Sequence, residues 1–344
     1  MDKMKEDYKT IGMMRLSALG DIIWTLPLVH RLKEQFPNAR IIYFTSKPFS
    51  SVVEDIDGIE FITLKKPRSF SDYREVIKEI RKYHFDLFLC TQANLRVNLL
   101  YPFIRAKRKI GFDSKRGRDG HYLFVPEQIP YKKEHALEAF LGFSKYLGFH
   151  SDIIRYDIPI PESFIHWHEN QSLGEYVCLH PKASHENRTW SLHSYIELVR
   201  KIVLKSNIKV ILTGTNADAD FCEDIKQDVA SDFVLNFAGK TNLKELSILF
   251  EKSLLVIAPD SGPIHLANAM GASVVGLYTS LPCDFTGPYG QSENCIDAYA
   301  DALKKYHGKN ENEVEWRTRV NESGMMDLIS VDDVFLKINK LLKN

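Results

Sequence analysis

The turn that follows the apolar run 254–258 is the part of this chain best suited to bind an anion. It contains Asp260, Ser261 and Gly262, and a helical pattern begins at Pro263. Proline is favoured at the first position of a helix because its missing N–H would have no partner there. The free N–H groups and the positive end of the helix dipole suit a phosphate group. The turn therefore predicts a site for a nucleotide or a sugar phosphate. The alternative is an ordinary connection without a ligand.

An aspartate stands in a comparable place near the start of the chain. Asp21 follows the apolar run 11–16, and Ser17 and Gly20 lie between them. The glycine permits a sharp turn. A carboxylate at the tip of a strand can take a proton from a substrate hydroxyl group. The ordinary alternative is that Asp21 only caps the next helix, as aspartate often does.

Two further predicted strands also end in polar residues. These residues are Lys182, Ser184 and Arg188 after the strand 176–180, and Thr213 and Gly214 at the tip of the strand 210–213. Cations beside small hydroxyl groups suit a phosphate, and an arginine can hold one through two parallel hydrogen bonds. The alternative for the first group is a solvated surface loop.

A basic stretch interrupted by glycine and aspartate spans residues 105–118. Its cations are Arg105, Lys107, Arg108, Lys109, Lys115, Arg116 and Arg118. We predict a loop at the rim of the first domain, and no acidic run lies nearby to balance its charge. Such a loop fits an acidic sugar or a membrane headgroup, whereas a solvated loop is the alternative. RNA is a weaker candidate because no aromatic pattern for base stacking accompanies the cations.

The size and composition of the chain fit two globular domains. At 344 residues it is long for one core, and 44% hydrophobic residues leave material for two. Its 45 basic and 45 acidic residues balance, so the net charge does not indicate nucleic acid as a partner. The first residues are polar and charged, and no run approaches the roughly 20 apolar residues of a membrane span. The five cysteines form no Cys-x-x-Cys pair, so we expect a protein of the reducing cytoplasm.

Strand and helix patterns alternate along most of the chain, which predicts α/β domains with parallel sheets. Near residue 160 this alternation stops in a segment that is rich in proline, and it resumes afterwards. We therefore place one domain at 1–160 and a second at 172–325, followed by a helix at 331–344 that could return to the first domain. In such sheets, ligands bind beyond the carboxyl ends of the strands. Two facing domains would then hold one substrate each in a central cleft. The predicted strands are 11–16, 41–44, 61–64, 85–89, 176–180, 210–213, 254–258 and 274–278.

Three motifs in this order resemble the ADP-heptose–lipopolysaccharide heptosyltransferases, glycosyltransferase family nine. They read RLSALGDIIWTLPLVHRL, HPKAS…NRTW and APDSGPIHLANAMGASVVGLY. The resemblance covers residues 11–289. It implies the GT-B fold class, with two doubly wound Rossmann-like domains facing a central cleft. It also implies metal-independent transfer of a heptose from ADP-heptose to the inner core of a lipid A-linked oligosaccharide, with inversion at the anomeric carbon.

The resemblance gives roles to single residues. Asp21 matches the base proposed for the family's Ser-x-x-Gly-Asp motif. The turn 260–262 matches an Asp-Thr-Gly turn that receives the donor diphosphate, with Ser261 in place of threonine. Arg188 stands where many members have a lysine, and His265 matches a histidine after the turn. The expected donor-binding residues are Lys182, Ser184, Arg188, Thr213, Gly214, Asp260, Ser261, Gly262 and His265. The expected acceptor-binding residues are Ser17, Gly20, Lys115, Arg116 and Arg118.

The resemblance also implies the partners and the location of the protein. ADP-heptose is the expected donor, and Kdo or a preceding heptose on lipid A is the expected acceptor. Neither a metal ion, a further cofactor nor nucleic acid is expected, and the protein would act at the cytoplasmic face of the inner membrane. One alternative is a nucleotide-sugar epimerase of the same fold, which needs no acceptor. Another is a non-catalytic sugar- or nucleotide-binding protein, in which Asp21 is only a helix cap.

Overall fold

A computed structural model describes residues 7–206 and 208–343 of the chain. The internal contacts divide it into two compact units, Met1–Pro159 and Ile160–Asn344. Each unit has its own parallel sheet of six strands.

The first unit begins with a strand that lies in the middle of its sheet. Its strands are β1 (Thr10–Met14), β2 (Arg40–Thr45), β3 (Ile59–Thr63), β4 (His84–Cys90), β5 (Arg105–Phe112) and β6 (Glu127–Ile129). Its helices are α1 (Leu19–Gln35), α2 (Lys47–Val53), α3 (Phe70–Ile80), α4 (Leu95–Asn98) and α5 (Ala136–Tyr146). The strand order is β3-β2-β1-β4-β5-β6. This order reverses between β1 and β4, and ligands bind at such a reversal in doubly wound sheets.

The central strands of this sheet are covered on both faces, which explains their unbroken apolar sequences. Ile11, Met13 and Met14 of β1 are fully buried. Between them, a side chain at Gly12 would meet the ring of Phe88, since a Cβ there would lie 2.5 Å from its Cδ2. Glycine at this position therefore lets the aromatic core close over β1.

The prediction of a loop over residues 105–118 is wrong for its first part, which forms β5. Acidic residues that are distant in sequence make this strand possible by pairing with its cations. Lys107 Nζ lies 2.7 Å from Asp86 Oδ1, and Arg108 forms an ion pair of 2.7 Å with Glu127. Asp86 lies on the neighbouring strand β4 and Glu127 on β6, so the balance that the local sequence lacked comes from the sheet.

The second unit repeats the topology of the first. Its strands are β7 (Tyr176–Leu179), β8 (Lys209–Leu212), β9 (Val234–Asn236), β10 (Leu255–Pro259), β11 (Val274–Tyr278) and β12 (Ile296–Asp297). Its helices are α6 (Glu162–Asn170), α7 (Leu192–Lys205), α8 (Ala219–Val229), α9 (Leu243–Glu251), α10 (Gly262–Ala269), α11 (Cys283–Thr286), α12 (Tyr299–His307) and α13 (Val331–Leu341). The order β12-β11-β10-β7-β8-β9 is that of the first sheet, with the reversal between β7 and β10.

The C-terminal helix α13 packs against α7 and β11 of the second unit. Its buried residues Val334, Phe335 and Ile338 recur at the spacing of one helix face. The Ser330 hydroxyl caps its start by accepting a hydrogen bond of 3.1 Å from the Asp333 N–H. These contacts place α13 in the core of the second unit.

Membrane-spanning helices, metal-binding clusters and disulfides are missing from residues 7–206 and 208–343. None of the helices there combines the length and the apolar character of a membrane span. No group of three His, Cys, Asp or Glu side chains in this part of the chain could hold a metal ion. The cysteines are free thiols. Burial raises the pKa of the Cys90 and Cys178 thiols, so both remain protonated core residues.

Candidate functional site

The first half-site lies at the reversal of the first sheet, where the chain leaves β1. Two side chains from the end of β4 hold this segment in place. The Thr91 hydroxyl donates a hydrogen bond of 2.9 Å to the Met14 carbonyl. Gln92 Oε1 accepts one of 2.7 Å from the Leu16 N–H. The segment between β1 and α1 is therefore fixed by its neighbour strand, as a binding site requires.

Asp21 occupies the third position of α1, and its carboxylate makes the helix-capping contact that was one of the two roles predicted for it. Its Oδ2 atom accepts a hydrogen bond of 3.1 Å from the Ala18 N–H, which is a helix-capping contact. The same oxygen forms an ion pair with Arg15. The other oxygen, Oδ1, has no hydrogen-bond partner within the described part of the chain, and the side chain is 30% exposed. One oxygen thus anchors the group, and the other remains open to a substrate.

Arg15 is a positioning residue for Asp21 that the sequence analysis did not select. One terminal nitrogen of Arg15 donates a hydrogen bond of 2.7 Å to the Thr91 carbonyl. Its guanidinium carbon lies 5.5 Å from the ring centre of Phe140. Because these contacts limit its movement, Arg15 fixes the direction of the Asp21 carboxylate.

Lys66, which follows β3, belongs to a cationic group at the same edge of the sheet. Burial is the main cause that lowers the pKa of Lys66. The positive charges of Arg96, Arg68 and Arg15 lower it further. We call these four residues the cationic group. A bound anion would relieve their mutual repulsion, so this edge favours an anionic ligand. The basic segment 65–68 was the sequence signal that could have revealed it.

The predicted acceptor residues fall into two kinds. Lys115 and Arg118 are exposed, and Lys115 Nζ lies 5.0 Å from the ring centre of Tyr131. Ser17 Oγ accepts a long hydrogen bond of 3.4 Å from Gln92, and Gly20 is buried in the first turn of α1. All four of these residues remain candidate contacts or supports for an acceptor.

Arg116 differs from these residues because it is buried and stabilises its own loop. It forms ion pairs of 2.5 Å with Asp113 and 3.2 Å with Glu134. It also donates a hydrogen bond of 2.6 Å to the Pro130 carbonyl. With 7% of its side chain exposed, it has little surface for an acceptor. We therefore revise its expected role from acceptor contact to support of the loop.

The second half-site lies at the equivalent reversal between β7 and β10. The turn 260–262 leads into α10, with Ser261 at the N-cap and Pro263 in the first turn. The Ser261 hydroxyl oxygen is shielded from solvent and has no hydrogen-bond partner among the described residues. A buried hydroxyl without a partner is costly, and a ligand oxygen would satisfy it. His265 is buried one turn further along the same helix.

Arg188 links the two loops of this half-site. Its Nη1 atom donates hydrogen bonds of 3.0 Å to both the carbonyl and the carboxylate of Asp260. Its Nη2 atom donates one of 3.0 Å to Ser184 Oγ. Ser184 and Arg188 thus hold the turn from outside. Part of the guanidinium fork predicted for phosphate is used to position Asp260.

The remaining donor-side residues line the tips of β7 and β8. Lys182 Nζ lies 4.6 Å from the ring centre of Phe221. The Thr213 hydroxyl and the His180 ring share a hydrogen bond of 3.1 Å. Burial lowers the pKa of His180 to about 4, so its ring is neutral near pH 7 and serves as a structural link. A Cβ at Gly214 would lie 2.9 Å from that of Asp218, so only glycine fits this close approach.

Known proteins are similar in sequence to this chain over nearly its whole length. The model of glycosyltransferase family 9 (heptosyltransferase) matches residues 73–315. The lipopolysaccharide core heptosyltransferase OpsX of Haemophilus influenzae is 31% identical over 351 aligned residues, which cover 99% of each chain. The chain belongs to glycosyltransferase family 9.

Solved structures share the fold of this family 9 glycosyltransferase. A family 9 glycosyltransferase from Veillonella parvula DSM 2008 superposes with a TM-score of 0.80 at 23% identity, covering 99% of both chains. The E. coli heptosyltransferase WaaC with ADP gives 0.74 at 17% identity, covering 96% of this chain and 99% of that one. The predictions of the family, of the GT-B fold class and of a heptosyltransferase are confirmed by these comparisons.

The family 9 model covers the second half-site of the enzyme completely but does not reach Asp21 in the first. All of the predicted donor-side residues lie within the region 73–315. Asp21 and Arg15 precede that region. They are covered by the alignment with the Haemophilus influenzae heptosyltransferase, which spans 99% of this chain. The roles of single residues in both half-sites remain predictions.

Proposed function

We propose that the protein transfers a heptose from ADP-heptose to the inner core of lipopolysaccharide, with inversion at the anomeric carbon. The observation that carries this proposal is the likeness to a lipopolysaccharide core heptosyltransferase over 99% of both chains. The acceptor is Kdo or a preceding heptose on lipid A. The two half-sites are consistent with this chemistry, because one suits a diphosphate and the other an acidic sugar with a reactive hydroxyl group.

The diphosphate of the donor would lie against the turn 260–262. The N–H groups at the start of α10 point out of the helix and can donate to phosphate oxygens. The buried Ser261 hydroxyl adds a further donor. Lys182 supplies a positive charge, and Arg188 keeps Asp260 in place. Together these groups would stabilise the negative charge that grows on the leaving diphosphate.

Asp21 would act as the general base. Its free Oδ1 atom would accept the proton of the acceptor hydroxyl as the oxygen attacks the anomeric carbon. The new carbon–oxygen bond forms as the bond to the diphosphate breaks, so the products are the heptosylated acceptor and ADP. Attack from the face opposite the leaving group inverts the configuration. The cationic group and the exposed Lys115 and Arg118 would bind the acidic part of the acceptor.

The lipid anchor of this acceptor places the reaction at a membrane surface. We propose that the protein works at the cytoplasmic face of the inner membrane, where it contacts the lipid peripherally. The basic character of the edge around Asp21 supports this location, since the cytoplasmic leaflet carries a negative surface potential.

Incubation of the purified protein with ADP-heptose, with and without lipid A carrying Kdo, tests the proposed function. We expect ADP release and a heptosylated lipid only when both substrates are present. Nuclear magnetic resonance of the product should show the inverted anomer. A changed sugar nucleotide without acceptor would instead identify an epimerase, and binding without turnover would identify a non-catalytic protein. Mass spectrometry of lipopolysaccharide from a deletion strain should then show at which sugar the core stops.

A further inference from the structure

Large apolar side chains are exposed unevenly over the described residues. Eleven of them are exposed, and six lie within residues 70–123 of the first unit. These six are Phe70, Leu95, Leu99, Phe103, Tyr122 and Leu123. Leu123 is 74% exposed and Phe70 is 80% exposed, so neither contributes to the core. A cluster of this kind on a folded domain marks an interaction surface.

Contacts between α3 and its neighbours bring the first members of this set together. The Tyr73 hydroxyl, one turn after Phe70, donates a hydrogen bond of 2.9 Å to the Arg96 carbonyl in α4. At the other end of α3, the Arg81 guanidinium carbon lies 5.9 Å from the ring centre of Phe103. The helix therefore runs alongside α4 and the turn that follows it.

A second set of contacts joins the turn 118–123 to α4. Asp119 Oδ2 accepts a hydrogen bond of 2.9 Å from the Leu95 N–H. The Asn98 side chain donates one of 3.2 Å to the Arg118 carbonyl. These bonds hold α4, with Leu95 in it and Leu99 directly after it, beside the turn that carries Tyr122 and Leu123. We call these six apolar residues, with the cations between them, the amphiphilic patch.

The charges on this patch are mostly positive. Its exposed cations are Arg68, Arg74, Arg81, Arg96 and Arg118. The exposed acidic residues beside them are Glu75 and Asp119, and Asp119 is held by the Leu95 N–H. Apolar side chains set among arginines match the interface of an anionic bilayer, where the side chains enter the acyl boundary and the cations meet phosphates. A symmetric contact between two copies would instead bring like charges together.

We propose that the amphiphilic patch docks the protein on the anionic surface of a lipid bilayer. This inference rests on the proposed function, because an acceptor on lipid A is reached only at a membrane. The patch is also close to the first half-site along the chain. Gln92, which accepts a hydrogen bond from the Leu16 N–H in the segment between β1 and α1, precedes Leu95 by three residues. Docking through the patch would thus bring a lipid-anchored acceptor to the edge of the sheet that carries the proposed base.

Vesicle sedimentation tests this docking independently of catalysis. The double variant Leu95→Ser/Leu123→Ser removes apolar contact, and Leu204→Ser/Leu336→Ser is the matched control in the second unit. Leu204 and Leu336 are 84% and 65% exposed. With vesicles of phosphatidylcholine and phosphatidylglycerol, we expect the patch variant to lose roughly tenfold or more in affinity, and the control to match the wild type. Equal binding by both variants, or equal loss in both, would overturn the proposal.

A variant with two arginines neutralised tests how much the positive charge of the patch contributes to vesicle binding. Arg74→Gln/Arg81→Gln should weaken binding to vesicles that contain phosphatidylglycerol, and added salt should reduce the difference from the wild type. Wild-type binding that is the same on pure phosphatidylcholine would contradict the charge argument. Sedimentation equilibrium without lipid tests whether a second copy of the chain, rather than a bilayer, covers the patch. If the leucine variant dissociates a dimer, a second copy covers the patch and the lipid proposal fails.

Activity measurements separate this inference from the proposed function. The leucine variant should raise the apparent KM roughly tenfold for acceptor embedded in vesicles, and leave it unchanged for a de-acylated, water-soluble acceptor. Loss with both acceptors would show damage to the site itself and overturn the docking role. If the wild type binds vesicles through the patch but transfers no heptose, the docking inference stands and the proposed function fails.

Discussion

The two half-sites each contain an arginine–aspartate pair at the reversal of a parallel sheet, but the pairs differ in exposure. Asp21 is 30% exposed beside Arg15, whereas Asp260 is 10% exposed beside Arg188. Asp21 keeps one carboxylate oxygen open. Asp260, in contrast, accepts hydrogen bonds from Arg188 at both its side-chain carboxylate and its backbone carbonyl. The same pair of residue types thus leaves an accessible carboxylate in one unit and stabilises a turn in the other. Exposure decides between these roles, because only a carboxylate with an accessible oxygen can receive a substrate proton.

The largest expected effect comes from removing the proposed base, Asp21, in the first unit. Asp21→Asn keeps the size of the side chain and a capping oxygen but cannot take a proton. We expect turnover to fall by about 10²–10⁴-fold. The affinity for ADP, measured by calorimetry, should stay within a few-fold, because the donor is assigned to the second unit. Turnover near that of the wild type would remove Asp21 from the role of base.

Asp260→Asn should act on stability and donor binding instead. Removing one partner of a largely buried ion pair leaves the charge of Arg188 uncompensated. We expect a loss of about 3 kcal/mol in the free energy of unfolding, measured with urea, together with weaker binding of ADP. The matched control is Arg40→Gln, which breaks the exposed pair between Arg40 and Glu60 and should cost about 0–1 kcal/mol. Similar losses in both variants would mean that Asp260 does not anchor the turn.

Each unit also carries a buried histidine whose titration can be compared. Burial lowers the pKa of His121 in the first unit, and of His180 in the second, to about 4 from 6.5. Below pH 6.5 the unfolded chain takes up protons that the folded rings refuse, so stability should fall as the pH drops towards 4. Each histidine should account for about 2–3 kcal/mol of that fall.

Urea unfolding at a series of pH values measures this contribution. His121→Gln and His180→Gln should each make the acid loss of stability shallower than in the wild type. His193→Gln, at an exposed position of α7, is the control and should keep the wild-type slope. A slope that does not change in either buried-site variant would contradict the assignment.

The smallest of these effects concerns the geometry of Arg188. Arg188→Lys keeps the charge but loses the fork that reaches both Asp260 and Ser184. We expect ADP affinity to fall by about tenfold, the equivalent of about 1.4 kcal/mol, with little change in the apparent KM for the acceptor. An equal change for both substrates would show that Arg188 does not act on the donor side alone.

The strength of each sequence pattern decided how much of the fold could be predicted. The central strands β1, β4, β7 and β10 are buried on both faces, so their apolar runs were visible. The edge strands β6, β9 and β12 have only two or three residues each, too few to show a pattern. Strand β5 was misjudged as a loop because the acidic partners of its cations lie elsewhere in the chain.

The sequence by itself determined the alternation of strands and helices and the turn motifs at the strand ends. Those features depend on local backbone preferences and on the burial of apolar side chains, which neighbouring residues already express. Only the tertiary structure decided which charges are exposed, paired or crowded. In the folded chain, Arg188 pairs with Asp260 and Arg116 is buried within its own loop. Lys66 lies close enough to three arginines for their charges to lower its pKa. Charge interactions act between residues far apart in the chain, so their outcome depends on the packing of the sheets rather than on any single segment.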